Sequence, residues 1–474
     1  MNDVGTAMLI RGTFVTLPSL AALHILTDYL LGVDETGHIT HFSAANSPTS
    51  KALLTSTAVP PIQIPQGSFL LPPFCDLHLH APQFLYQGTG LHLSLMQWLD
   101  EYAFKAEERL DADPALARRV YTRLAQRLIE NGTGTVLLFG TIKEGTNLIL
   151  ADTMQRAGVR ALVGKLSMDI SSRPSYVEAS AEAALSAARS FVSRCKETVA
   201  ALPAHSRLVA PVLTPRFVPT CSNELLEGLG RLAAEQSLRV QSHMAEAHDQ
   251  VEWVRSERGA EDIDVFDQRG LLTPDTIQAH CTFLDAAALA RVADRGTAIA
   301  HCPLSNAYFS AAPFALREVL AAGVRVGLGT DVAGGYSLDM MSAMRHAVTV
   351  SRMREGKRRL EHAGENEAAE SVAIDWKEAL YLATQGGKEA LGLGRGSGSF
   401  EVGAPFDAQQ IQIFDAEKGA GIGALDFFDL ELGESPDVSI EMVEKWWCIG
   451  DGRNRVGLWV QGNRLELSVL VGHE

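Results

Sequence analysis

None of the six cysteines, Cys75, Cys195, Cys221, Cys281, Cys302 and Cys448, stands in a CxxC pair. That excludes a zinc ribbon and a thioredoxin-like redox centre, and so few scattered thiols suit a reducing compartment. Long apolar runs are also missing: no stretch reaches the roughly 18 residues that a membrane span requires. The first twenty residues lack a basic start followed by an apolar core, so no signal peptide is expected. These absences point to a cytoplasmic protein with no membrane partner. Positive charge is short as well, with 41 Lys and Arg against 57 Asp and Glu, a formal charge of −16, and no basic run. Phosphate backbones attract basic surfaces, so nucleic acid is excluded as a partner. No internal repeat is present.

What remains is an ordinary globular composition, 46% hydrophobic and 21% charged over 474 residues, enough for one large domain and a smaller one. Residues 1–70 read as β-rich. Met8–Ile10 and Thr13–Val15 are short apolar runs, and Gly37 marks a turn between the stretches Tyr29–Val33 and His38–Phe42. Over residues 71–395 short apolar strands alternate with helical stretches. The strands are expected at Phe69–Phe74, Gly134–Phe139, Arg160–Leu166, Leu208–Leu213, Ser237–Ser242, Thr276–Ala279, Gly296–Ala300 and Val324–Leu328. Helices are expected at Ala115–Glu130, Ser180–Thr198 and Ser222–Gln236. Alternation of this length is the pattern of a parallel α/β fold, and eight units predict a closed (β/α)₈ barrel. Residues 396–474 turn β-rich again and are expected to join the N-terminal strands in one small β-sandwich domain. The polar stretch Glu355–Asp375 reads as a mobile surface excursion.

The first chemical signal is Cys75-Asp76-Leu77-His78-Leu79-His80, directly after an apolar strand. Side chains two apart on a strand share a face, so His78 and His80 present two imidazoles together, a chelating geometry for zinc. Three further candidates each end their own expected strand: His243 in Gln241-Ser242-His243, His280 in Gln278-Ala279-His280, and Asp331 in Gly329-Thr330-Asp331. In such barrels the carboxyl ends of the strands carry catalysis. Any one of these residues alone could be a core histidine or a capping aspartate; together they form a series.

In its order of HxH, His, His and Asp, the sequence resembles the amidohydrolase superfamily, most closely its guanine-deaminating members. The resemblance rests on His80-Ala81-Pro82-Gln83-Phe84, Trp98-Leu99-Asp100-Glu101-Tyr102, Pro215-Arg216-Phe217, Ser242-His243-Met244-Ala245-Glu246 and His301-Cys302-Pro303. It continues through Gly327–Gly335, Ala383–Gly387, Phe400–Gly403 and Gly450–Asn454. It implies that His78, His80, His243 and Asp331 bind one zinc ion per subunit, with His280 beside the site and a homodimer as the assembly. It further implies that Glu246 and Asp331 handle protons while Gln83, Arg216 and Phe217, with His243, Glu246 and Asp331, contact guanine. The chemistry suits these types: Glu246 can shuttle a proton, although an acid there also favours a helix start. Arg216 offers a rigid donor fork, Gln83 a donor and an acceptor, and Phe217 a packing face.

Lys165 is a candidate for a carboxylated bridge between two metals, but it precedes the strand end, and the resemblance implies a single ion. Leu304 stands where a polar residue is expected, and Gln409-Gln410 interrupts the apolar tail strand expected after Phe406-Asp407. The alternatives are a related zinc hydrolase acting on another aminated or halogenated heterocycle, and an inactive scaffold on the same barrel. The signature of the other zinc deaminase fold, with its P-C-x-x-C, is not written here.

Overall fold

The computed structural model describes residues 6–361, 370–394, 396–430 and 437–467. Eight parallel strands pair in chain order: Phe74–His80, Thr133–Phe139, Arg160–Ser167, Val209–Pro215, Val240–Met244, Thr276–His280, Ala298–His301 and Val326–Leu328. The last segment returns to the first, where Asp331 N donates to His78 O at 2.8 Å and His80 N to Val332 O at 3.0 Å. The helices form where the chain supplies caps and an apolar stripe. Asp113 accepts from Ala115 N and Leu116 N to start Pro114–Glu130, which has Pro114 in its first turn. That helix buries Leu116, Val120, Tyr121, Leu124 and Leu128 against the barrel. Ser180 and Ser222 cap Ala181–Ala200 and Asn223–Gln236 in the same way. Among the described residues no helix is long and apolar enough to cross a membrane.

The expected first strand, Phe69–Phe74, divides in two. Pro72 and Pro73 lack the N–H a ladder needs, so Ser68–Leu71 ends in the small sheet and the barrel strand starts at Phe74. His78 and His80 therefore lie within the strand rather than beyond it. The other expected strands all reappear with ends shifted by a few residues.

Apart from a two-stranded ribbon of Phe414–Asp415 and Ala420–Gly421, the strands from the two chain ends join one sheet. Thr6–Ser19 sits at its centre between Ser68–Leu71 and Ala22–Asp34, with Ala408–Gln412 and Arg455–Val460 beyond. Its core gathers residues from both chain ends, among them Phe14, Leu31, Leu70, Phe406 and Trp459. Gly37 makes the expected turn at φ +78°, with no room for a side chain against the Gln461 carbonyl. Gln409 and Gln410 do not interrupt the tail strand but lie in it. Gln409 is buried, donating to Pro72 O and accepting from Arg455 Nε. The tail is less uniformly β than expected, since Ile440–Ile449 is a helix whose Trp446 packs edge-on to Phe69.

Glu355 also departs from the expected surface excursion. Met340–Glu361 is helical, and the buried Glu355 carboxylate accepts from Arg358, Arg359 and Val372 N. The rest of that stretch through residue 369 lies outside the described residues.

A buried charge cluster joins sheet and barrel at the amino ends of the strands. Asp407 accepts from Arg160, from Lys388 Nζ at 2.9 Å and from Gln461 N at 2.8 Å. Burial would raise the Asp407 carboxyl, but the Arg160 and Lys388 cations outweigh it and hold the group far below its usual value. Replacing Asp407 by Asn should cost about 3–5 kcal/mol in urea unfolding, because the buried Lys388 and the partly buried Arg160 lose their counter-charge. A group depressed in the folded state contributes fully above the ordinary carboxylate pKa of about 3.9 and loses its contribution as the pH falls below it. The gap between parent and Asn variant should accordingly narrow on acidification below about pH 4.

Candidate active site

The candidate residues stand at the carboxyl ends of the first, fourth, fifth, sixth and eighth barrel strands. Strand alternation explains His78 and His80 directly. It does not explain His280. In the register between the fifth and sixth strands His243 faces Ala279, and Met244 faces His280. Ala279 belongs to the barrel interior, whereas Met244 packs outward with the helices. Strict alternation would therefore send His280 outward. A left-handed φ of +69° at His280 turns the ring back, and Ala245 and Asp331 adopt φ of +47° and +49° at the same mouth. Non-glycine residues in that region cost of order 1–2 kcal/mol each, and the surrounding structure must enforce them. Gly329 permits the closest approach, since a Cβ there would meet His78 Cβ at 2.7 Å.

These turns gather donor atoms into one cluster. His80 Nε2 and His243 Nε2 are 3.0 Å apart. Asp331 Oδ1 lies 3.1 Å from His78 Nε2 and 3.5 Å from His80 Nε2. His280 Nε2 is 3.8 Å from Asp331 Oδ2 and 3.6 Å from Glu246 Oε2. Donors around a tetrahedral ion with bonds near 2.0–2.1 Å lie about 3.3 Å from each other; His78, His80 and His243 form one group that could hold such an ion, and Asp331 stands within that range of His78 and His80. The buried Nε2 atoms of His78 and His280 have no hydrogen-bond partner, which marks them as lone pairs aimed at the cluster.

Neighbours fix which nitrogen is free. The Arg216 carbonyl takes the His243 Nδ1 proton at 2.6 Å, leaving Nε2 as the ligating lone pair. Asn306 Oδ1 does the same for His280 Nδ1 at 2.9 Å. Asp76 accepts from His78 N and from the Thr330 N–H and hydroxyl, bracing the first strand against the eighth. Burial favours the neutral form that a metal requires at three of the imidazoles. It holds His80 and His243 well below the ordinary value, and His280 at about 4. Burial, reinforced by the nearby Asp331, drives Glu246 the other way, well above the usual carboxyl range.

Beside this cluster opens a narrow slot. His80, His243, Glu246 and Asp331 form one wall, and Gln83, Arg216 and Phe217 line it too. The structure thus brings the proposed ligand, proton-handling and base-contacting residues to one place, with His78 and His280 behind the lining rather than on it. Trp98 and Phe309, with ring centroids 5.1 Å apart, complete the slot, although sequence reasoning gave them no role. Glu107 was also missed. Fully buried, it accepts from Arg216 Nη1 at 2.6 Å and from Gln83 Nε2 at 3.2 Å. The available signal was spacing: Glu107 falls on the face of Phe104–Ala112 that buries Phe104 and Leu110, where an apolar residue is the rule. Asp76 stood within the first motif without a role, and Asn306 was not singled out at all.

Lys165 lies outside the barrel wall. Its Nζ donates to Glu178 Oε1 at 2.5 Å and to Leu166 O, while its neighbour Gly164 faces Thr214 and Gln241 in the interior. Leu304 is buried near Gly335 and displaces none of the clustered donors.

A parallel barrel with histidines and one aspartate at its mouth is the architecture of a hydrolase, and the sequence model of the amidohydrolase family matches residues 69–463. The chain belongs to that family. Guanine deaminase from Rattus norvegicus is 36% identical to it over 465 residues, covering 97% of this chain and 96% of the rat protein. Among solved structures, the guanine deaminase from C. acetobutylicum with bound guanine in the active site superposes with a TM-score of 0.82. It is 27% identical, covering 97% of this chain and all of that one. Atrazine chlorohydrolase TrzN from Arthrobacter aurescens, complexed with zinc, shares the fold at a TM-score of 0.79 and 17% identity, over 98% of this chain and 97% of that one.

If Lys165 serves only its ion pair with Glu178, the double variant Lys165→Met, Glu178→Met should fold and bind as much metal per chain as the parent. Replacing both partners with apolar groups avoids a stranded buried charge. Elemental analysis of the purified proteins checks this; loss of half the bound metal would restore the bridging role.

Proposed function

We propose that this chain hydrolyses guanine to xanthine and ammonia with one zinc ion per chain, held by His78, His80, His243 and Asp331. The observation that carries the reading is the set of converging donor atoms, with His80 and His243 Nε2 3.0 Å apart, open to a slot that Arg216 and Gln83 also line. Full-length similarity to guanine deaminases supports the substrate, and the zinc named for the atrazine chlorohydrolase supports the metal. In this reading residues 71–395 carry the barrel and residues 1–70 with 396–474 the small β domain. We place the enzyme in the cytoplasm, in keeping with its few scattered thiols, and as a homodimer, following the sequence resemblance.

Zinc, when bound, acidifies water to an ionisation near pH 7 and so supplies a nucleophile at neutral pH. The protein residues do the rest. Arg216 donates to the carbonyl edge of the base, Gln83 bonds a second edge, and Phe217 packs on the ring. Glu246, kept protonated by burial and by Asp331, gives its proton to the ring nitrogen beside the carbon that bears the amine. Asp331 and Glu246 then relay the two protons of water. One restores Glu246 and the other leaves with the amine as ammonia, so guanine and water become xanthine and ammonia. His280, with Nε2 between the two carboxylates, orients the attacking oxygen.

Glu246→Gln should retain zinc, by elemental analysis, yet lower kcat for guanine by a hundred- to ten-thousandfold. An unchanged rate would remove its assigned role. In steady-state assays guanine should far exceed adenine and cytosine; equal turnover of either would overturn the substrate assignment.

A further inference from the structure

We infer that Glu107 is the positioning residue through which the slot selects a carbonyl-bearing base, acting on Arg216 and Gln83 together; this rests on the guanine reading above. A carboxylate can only accept hydrogen bonds. Glu107 Oε1 therefore draws the Gln83 amino group toward itself at 3.2 Å, and the Gln83 oxygen is left to accept from Ala333 N at 3.2 Å. These two bonds settle which end of the amide is which. One N–H and one lone pair of Gln83 remain for a ligand.

The other oxygen, Oε2, holds Arg216 Nη1 at 2.6 Å, and the guanidinium carbon lies 4.9 Å from the centroid of the Phe104 ring. Phe104 and Glu107 are one helical turn apart on Phe104–Ala112, so a single rigid element supplies the ring that orients the fork and the carboxylate that anchors it. The remaining N–H groups of Arg216 are free to meet an acceptor in the cavity that this residue lines. Neither Arg216 nor Glu107 is exposed to water, so each is the other's principal counter-charge. The pair is neutral, and what it presents to the slot is a directed donor rather than a free positive charge. Selection then depends on where a carbonyl oxygen sits, which is why removing Glu107 should act on recognition more than on chemistry.

The test compares parent and Glu107→Gln with two inhibitors that lack the amine and so are not turned over: hypoxanthine, which carries the carbonyl at carbon 6, and purine, which does not. In the variant, inhibition by hypoxanthine should weaken by about ten- to a hundredfold, the worth of hydrogen bonds to a charged group, while inhibition by purine stays within about threefold. KM for guanine should rise more than kcat falls. Glu107→Asp keeps the charge and should recover part of the hypoxanthine affinity; it also carries the comparison if the Gln variant does not fold. Equal weakening of both inhibitors would mark Glu107 as a purely structural residue and overturn the inference. A parent enzyme inactive on guanine would instead overturn the function on which it rests.

Discussion

Two backbone hydrogen bonds close the barrel and build the site in the same stroke. Asp331 N donates to His78 O and His80 N donates to Val332 O. The seam between the eighth and first strands is therefore made by residues whose side chains belong to the cluster. Asp76 tightens that seam from within through Thr330. Asp331 has no freedom to drift from the two histidines, because its own backbone is tied to theirs. A cluster of donor atoms held this way is pre-positioned by barrel closure rather than by whatever it binds. The same seam explains the demand for Gly329, where any side chain would collide with His78.

How much of this was legible in the sequence follows from which geometry is local. The shared face of His78 and His80 comes from strand alternation, which operates over two residues and needs no tertiary information. The order of the strands and the places of His243 and Asp331 followed from α/β alternation. His280 was placed at the right strand end, but alternation would aim it at the helices. Its inward aim depends on a left-handed backbone that its neighbours enforce and that its residue type does not announce. The first strand was misjudged because Phe69–Leu71 and Phe74–Leu79 are both apolar, and only tertiary pairing assigns them to different sheets. Glu355 read as surface because charge is usually solvated. It is instead buried by two arginines four residues or fewer away, a pairing that composition alone could not distinguish from an exposed polar stretch.

Glu107 illustrates a different limit. A catalytic motif declares itself because the same few atoms must meet the substrate. A residue that acts by holding other residues is defined by distances across the fold: 109 positions separate Glu107 from Arg216 and 24 separate it from Gln83. Its only local trace was an acid on an apolar helical face. Such a position is costly unless paired, so a buried acid in an amphipathic pattern is itself a reason to search for a distant cation.

The charges divide along the barrel axis with opposite consequences. At the amino ends, Asp407 meets Arg160 and Lys388, and the cluster is satisfied and far from any cavity residue. At the carboxyl ends several imidazoles, Glu246 and Asp331 crowd together with lone pairs unmet and backbones strained. Packing neutral imidazoles and two acids without enough donors costs stability, and three left-handed residues add to that cost. The fold can carry this arrangement because the opposite end of the same strands is pinned to the small sheet by buried ion pairs and a shared apolar core. Stability and reactivity are thus separated by the length of a strand. The terminal segments, whose described residues line no part of the slot, are best understood as the part of the chain that lets the mouth remain frustrated.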